Sequence, residues 1–471
     1  MLQEAMGDLR RFMAPSPKVL KFLIIGLMVR LLLAPFTSYP YDAYPFYGAV
    51  VGTLAGTGPY GNVLFTYPPL FSVIYYPLFW VVSHFVDPSS FGILMPSMIE
   101  VSRATGMMVP FITSPVFNIV LKLPIIIGDA LVGLTLYRIV EARKGAAAAE
   151  KAFLVWFLNP LVIFVSSVHG QFDVLAAYFA LIGVMGFMDK RYLLSGAFLG
   201  LGVLLKLFPA YLVISFGLIL LVSLFNAAKA GRSGEALKSI AAFISGGALS
   251  LLSVLPFLLS SNSFLDYVLR RGTYSSIGGM NAWFIMPFLG AIDGEGGGSG
   301  EGIPVGLVLL IIGVALTVLV TLLIIWKVPG KDRPLYSALA VITVVMVTQS
   351  VTNPQHLIWL FPLMVVFSSF DGRMTNKLYV LSVIGLLYLL CLQSGLVFFY
   401  PLAHFTGWPS VMTINQGIET FFIGTGLERA MVLSVLGGLG FGVLLSVLLP
   451  YKWDIMERLM RRLPRRVADE G

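Results

Sequence analysis

Long runs without a single charge recur along this chain from near its start to near its end, and they leave it few ways to fold. Residues 303–326 contain no Asp, Glu, Lys or Arg, and several other stretches come close to that. About 20 consecutive apolar residues cross a bilayer as a helix. Because the runs continue to the end of the chain, they are neither a cleaved leader nor a single anchor. Only 11% of the 471 residues are charged and 58% are hydrophobic, against about 25% charged in a soluble domain. The expected fold is an all-α polytopic membrane protein of about 12 transmembrane helices, with residues 1–451 as one domain and a basic tail at 452–471.

Position of charge sets the orientation. Lys and Arg are favoured on the cytoplasmic side of short loops, and they cluster at Arg10, Arg11, Lys18 and Lys21, at Arg138, Arg143, Lys144 and Lys151, and at Lys190 and Arg191. Further clusters are Lys229, Arg232 and Lys238, then Lys327, Lys331 and Arg333, then Arg373 and Lys377, and finally the tail. Placing all of them inside gives spans near 18–36, 115–138, 152–168, 170–188, 192–206, 207–226, 239–260, 303–326, 335–351, 356–370, 378–398 and 427–450, with both termini cytoplasmic. Segments 37–114, 261–302, 352–355 and 399–426 then lie outside. The long first outer loop, 37–114, contains an apolar stretch at 67–86. That stretch opens on Tyr67-Pro68-Pro69, is interrupted by Pro77 and is rich in aromatics, as suits interfacial helices rather than a span. The Gly-rich stretch 293–302 reads as a flexible loop.

Several function classes fall away. The basic residues are scattered between spans rather than gathered on one polar face, so nucleic acid is not an expected partner. There is no GxxxxGK[ST] phosphate loop and no Cys/His metal pattern, and the single cysteine, Cys391, cannot form an intrachain disulfide. No internal repeat is evident, which weighs against a transporter built from duplicated halves.

Polar residues at membrane depth carry the functional information. Asp42, flanked by Tyr41 and Tyr44 just past the first span, is either a solvated loop acid or a base for a hydroxyl, its pKa raised by partial desolvation. In Asn159-Pro160 followed by His169-Gly170-Gln171-Phe172-Asp173, a span ends in polar residues and the next begins at once. Asp173 either caps that helix or lines a site. Lys206, between two apolar spans, snorkels or meets a ligand. Lys122 and Asp129 lie seven residues apart on one helix face, and Asp129 needs a basic partner from elsewhere. Arg270 and Arg271, followed by Asn281 and Trp283, form a basic cluster on the outer side, against the usual bias and therefore pointing to an anion. Gln355 and His356 open another span and either donate to a phosphate or begin the helix.

In this order, Asp42, Thr66-Tyr67-Pro68-Pro69, Lys122-Leu123-Pro124, Gly128-Asp129, Asn159-Pro160, His169 through Asp173, Lys206-Leu207-Phe208-Pro209, Arg271-Gly272, Asn281-Ala282-Trp283 and His356 resemble the C-type integral-membrane glycosyltransferases. The likeness is to those that use polyprenyl- or dolichyl-phosphate sugars, glucosyl- and mannosyltransferases among them. It implies an inverting transfer of a hexose from a polyprenyl-phosphate-linked donor to a hydroxyl of a lipid-linked glycan or glycolipid. Asp42 would be the base, and Lys206, Arg271, Lys122 and His356 would hold the donor phosphate. Tyr41, Tyr44, Tyr67, His169, Gln171, Asp173, Asn281, Trp283 and Gln355 would line the substrates. Some members carry a second acid two residues after the first, whereas Asp42 is followed by Ala43 and Tyr44; neither a metal nor another cofactor is expected. Membrane lipids surround the protein, and we read its setting as a prokaryotic plasma membrane rather than an endoplasmic reticulum, with the site on the non-cytoplasmic face. The alternative from another class is a secondary transporter with an Asp129, Asp173 and Lys206 relay.

Overall fold

The computed structural model describes residues 16–61, 65–87, 90, 111–260, 277–292, 305–369, 371–392, 395–407, 409–411, 413 and 427–448. It is a helical assembly. The first part runs α1 (Pro17–Leu33), α2 (Pro40–Leu54), α3 (Leu70–Ser83), α4 (Pro115–Lys144), α5 (Ala146–Phe157) and α6 (Pro160–Ile163). After a π-helical turn at Phe164–His169 come α7 (Asp173–Met188), α8 (Tyr192–Val203), α9 (Pro209–Lys229), α10 (Ser233–Leu252) and α11 (Leu255–Ser260). The remainder is α12 (Met286–Ile292), α13 (Val305–Lys327), α14 (Arg333–Thr348), α15 (Leu357–Ser368), α16 (Gly372–Leu392), α17 (Ala403–Thr406) and α18 (Leu427–Leu448). Strands β1 (Gly278–Gly279) and β2 (Val351–Thr352) form one parallel bridge.

Among the described residues, seven helices are long and apolar enough to cross a membrane: α1, α4, α9, α10, α13, α16 and α18. An eighth span results if α5 and Pro160–His169, bent by 46° at their junction, are taken together. The expected number of twelve therefore does not emerge from helix length. Helices do occupy the expected spans near 170–188, 192–206, 335–351 and 356–370, but α7, α8, α14 and α15 are only 12 to 16 residues long. The connections that follow α8 and α14 are largely packed inside protein, where non-helical backbone is tolerated. The 239–260 expectation is divided between α10 and α11, and the 378–398 span ends at Leu392. In the first outer loop, α2 and α3 are both helical and both too short for the span criterion.

The bend after α5 is written in Asn159-Pro160. Pro160 has no N–H to continue the α5 ladder, and the Asn159 side chain caps the next turn at the Leu161 and Val162 amides. The other amide atom of Asn159 donates to Ser382 on α16 at 2.8 Å, which fixes the direction of the bend.

One buried charge pair ties the first helix to the fourth. Arg30 of α1 donates to Asp129 of α4 at 2.8 Å and to the Phe157 carbonyl at 2.9 Å, and its guanidinium lies 4.1 Å from the Phe157 ring centre. This supplies the basic partner that Asp129 required.

The α8–α10 crossing brings backbones together through glycine. A Cβ on Gly196 would stand 2.0 Å from the Phe243 carbonyl oxygen, and one on Gly246 would stand 2.0 Å from that of Leu193. Small residues at such crossings replace the driving force that apolar surface lacks in lipid. Gly196→Ala is therefore expected to lower the thermal unfolding temperature in detergent, at a cost of about 1–3 kcal/mol for overpacking. Gly217→Ala, where nothing lies within 4 Å, is the matched control and should cause no loss.

Candidate active site

Paired helices bring their connections to two opposite ends. Lys144, Lys190, Arg191, Arg232, Lys331 and Arg373 lie in or beside the links from α4 to α5, α7 to α8, α9 to α10, α13 to α14 and α15 to α16. The opposite end gathers the π-turn, the start of α7, the segment after α8 and the 349–356 connection.

There Asp42, in the first turn of α2, meets His169, the last residue of the π-turn. The Nε2 to Oδ2 distance is 2.6 Å, and the two side chains are 14% and 2% exposed respectively. Both side chains are largely withdrawn from solvent, the carboxylate less so than the imidazole. The Tyr67 hydroxyl donates to Asp42 Oδ1 at 3.3 Å and accepts from the Gln171 amide, also at 3.3 Å. Tyr39 meets the His169 ring edge to face at 4.7 Å, with Phe398 at 5.6 Å.

Lys206 lies next to this group. Its ammonium is 3.0 Å from Asp173 and 3.4 Å from Gln171 Oε1, and it stands 5.2 Å from the ring centres of both Tyr67 and Phe172. Asp173 also accepts from the Trp359 indole N–H. Trp359 is stacked between Phe208 at 4.4 Å and His356 at 4.2 Å, and His356 Nδ1 lies 3.2 Å from the Gln349 amide.

Asp42 departs from expectation in one respect. Burial does push its carboxyl upward, but the His169 hydrogen bond and charge, the Gln171 amide and the Lys206 charge outweigh burial and hold it below the ordinary 3.8. The group is an ionised acceptor at neutral pH, ready to take a proton without first losing one.

The structure thus brings Asp42, Tyr67, His169, Gln171, Asp173 and Lys206 together, with His356 joined through Trp359. Tyr41 and Tyr44 are half-buried on α2, and Tyr41 packs on Tyr39. Gln355 is buried with Oε1 unpartnered among the described residues. Asn281 donates to the carbonyls of Gln349 and Ser350, and Trp283 reaches the Thr348 carbonyl; both bind the end of α14. Lys122 is fully buried, its amine turned to main-chain oxygens of the 34–37 and 167–168 segments. Arg271, the 293–302 loop and the 452–471 tail lie outside the described residues. Among those residues, no three His, Cys, Asp or Glu stand close enough to hold a metal ion.

Trp359, Gln349, Tyr39 and Arg30 were not picked out from the sequence. Trp359 follows His356 by three residues, one helical turn, which was the available clue.

The profile of glycosyltransferase family 87 matches residues 104–350, more than half of the chain. The chain belongs to glycosyltransferase family 87. This family 87 glycosyltransferase is an integral membrane protein, and the matched stretch contains His169, Gln171, Asp173 and Lys206 while Asp42 precedes it. The fold is also similar to the crystal structure of ArnT from Cupriavidus metallidurans bound to undecaprenyl phosphate, at 14% identity and a TM-score of 0.44, covering 96% of this chain and 82% of that one. No curated protein matches the chain.

Proposed function

We propose that this membrane glycosyltransferase moves a hexose, mannose or glucose, from a polyprenyl-phosphate donor to a hydroxyl of a lipid-linked glycan or glycolipid, with inversion, at the non-cytoplasmic face. The observation that carries the reading is the partly exposed Asp42 carboxylate, backed by His169, with the Lys206 ammonium alongside. Displacement at an anomeric carbon uses both, a base for the acceptor hydroxyl and a cation for the leaving phosphate. The acceptor oxygen forms the new bond to the anomeric carbon as the bond from that carbon to the phosphate oxygen breaks. Asp42 receives the hydroxyl proton, and the electron pair of the broken bond goes to the phosphate. That phosphate gains a negative charge, which Lys206, Arg271 and His356 would stabilise in a preorganised site. Tyr67 and Gln171 orient the base, and Tyr41 and Tyr44 offer ring faces to a sugar.

The basic connections at one end of the bundle and the acid–cation cluster at the other support the sidedness, since Lys and Arg favour the cytoplasm. Right-side-out membrane vesicles supplied with labelled polyprenyl-phosphate mannose or glucose should transfer label to endogenous glycolipid. Transfer from a nucleotide sugar with none from any polyprenyl-phosphate sugar would refute the donor assignment.

A further inference from the structure

The Lys122 side chain is entirely shielded from solvent, two turns into α4. Its amine faces the Ala34 carbonyl at 3.1 Å, the Thr37 hydroxyl at 3.1 Å, the Ser167 carbonyl at 2.9 Å and the Val168 carbonyl at 3.3 Å, with the Thr37 carbonyl also in contact. All these partners are oxygens, and none is a carboxylate. Rings of carbonyl oxygen are what proteins offer to a small dehydrated monovalent cation. Two sources supply them, the end of α1 with its following turn and the end of the π-turn, and helix C-termini favour positive charge. The Thr37 hydroxyl bridges the same two segments, lying 2.7 Å from the Leu33 carbonyl and 2.8 Å from that of Ser167.

Both segments lead directly into the acid–imidazole pair: Asp42 follows Thr37 by five residues, and His169 follows Val168 at once. Tyr39 and Phe398 pack against the His169 ring, but its hydrogen bonds do not fix it further. Nε2 bonds Asp42, and Nδ1 has no partner among the described residues. Gly170, which ends the π-turn at φ +85°, packs on the lysine stem, and a Cβ there would stand 2.9 Å from Lys122 Cε. The Arg30–Asp129 pair joins α4 to α1 as well, but the Lys122 amine grips α1 and the π-turn together.

We propose that Lys122 is a positioning residue, a tethered amine whose oxygen cage sets the contact between Asp42 and His169. This rests on Asp42 as the base, but the geometry can be read without turnover. Dicyclohexylcarbodiimide attacks protonated carboxyls, so the pH at which Asp42 is half-labelled, followed by peptide mass, reports its coupling to His169. Asp42 is also faced by Tyr67 and Lys206, and the variants below change none of these groups.

In Lys122→Met the half-labelling pH should rise. kcat should fall by about 100-fold, the typical effect of a misplacement near 1 Å, with donor KM within a few-fold of wild type. Thr37→Val should move labelling the same way by less, and Thr37→Ser should restore it. Should Lys122→Met fail to fold, the Thr37 pair carries the same decision. Unchanged labelling in the folded variants overturns the proposal, and so does a raised donor KM without a labelling shift, which would make Lys122 a phosphate ligand. A labelling shift in a protein whose wild type transfers no sugar would refute the proposed function and leave the positioning role standing.

Discussion

Asp42→Asn is expected to lower sugar transfer by a factor of about 10²–10⁴, the usual cost of losing a general base, while the protein folds and still binds donor. Asparagine keeps the size and an oxygen for the His169 Nε2 bond but cannot accept the hydroxyl proton. Turnover within a few-fold of wild type would exclude Asp42 as the base. The pH profile adds a sign. Because the folded carboxyl is depressed, the ionised form and the stability of its His169 contact persist at neutral pH, and both are lost only as pH falls through a value below 3.8. The acid limb of kcat/KM arising from Asp42 should therefore lie in that range. His169→Phe removes a lowering influence and leaves burial, which raises, so the limb should move to higher pH. An acid limb that stays in place in His169→Phe would separate the profile from Asp42.

Lys206→Met is expected to damage both kcat and donor KM while sparing acceptor KM. A charge-assisted hydrogen bond to the phosphate would be worth about 1.5–3 kcal/mol. The single variant also leaves Asp173, fully buried, without its cation, and breaking such a pair costs about 3–5 kcal/mol of stability. Lys206→Met with Asp173→Asn separates the two effects. The double variant should recover much of the lost thermal stability, because no buried charge is stranded, yet donor KM should stay high. Recovery of donor use along with stability would make Lys206 a structural partner of Asp173 and no more. Arg271→Met should raise donor KM in the same assay.

What could be read from the sequence followed from which residue types are costly in lipid. Asp42, His169, Gln171, Asp173 and Lys206 stand out because each is polar beside an apolar run, and the structure places them within one hydrogen-bonded group. The Arg30–Asp129 pair was half visible: the acid demanded a cation, but nothing in the order of residues selects Arg30. The surroundings of Lys122 could not be read, since an amine satisfied mainly by main-chain carbonyls leaves little partner signal in the sequence. Hydropathy also cannot register where a span stops being helical. Apart from Lys206, the residues after α8, Leu204 to Phe208, are as apolar as the helix itself, and their turn depends on Pro209 and on packing.

The Trp359 stack gives the site an optical reporter of its own. An indole clasped between the Phe208 ring and the His356 imidazole, with its N–H on the Asp173 carboxylate, emits light from an environment that these neighbours define. Any rearrangement of Asp173 around Lys206, or any change in the charge of His356, is felt by that excited state. Only 7 tryptophans occur in the chain, so the emission of Trp359 can be isolated by replacing the rest, and occupancy of the site followed in real time without attaching a dye.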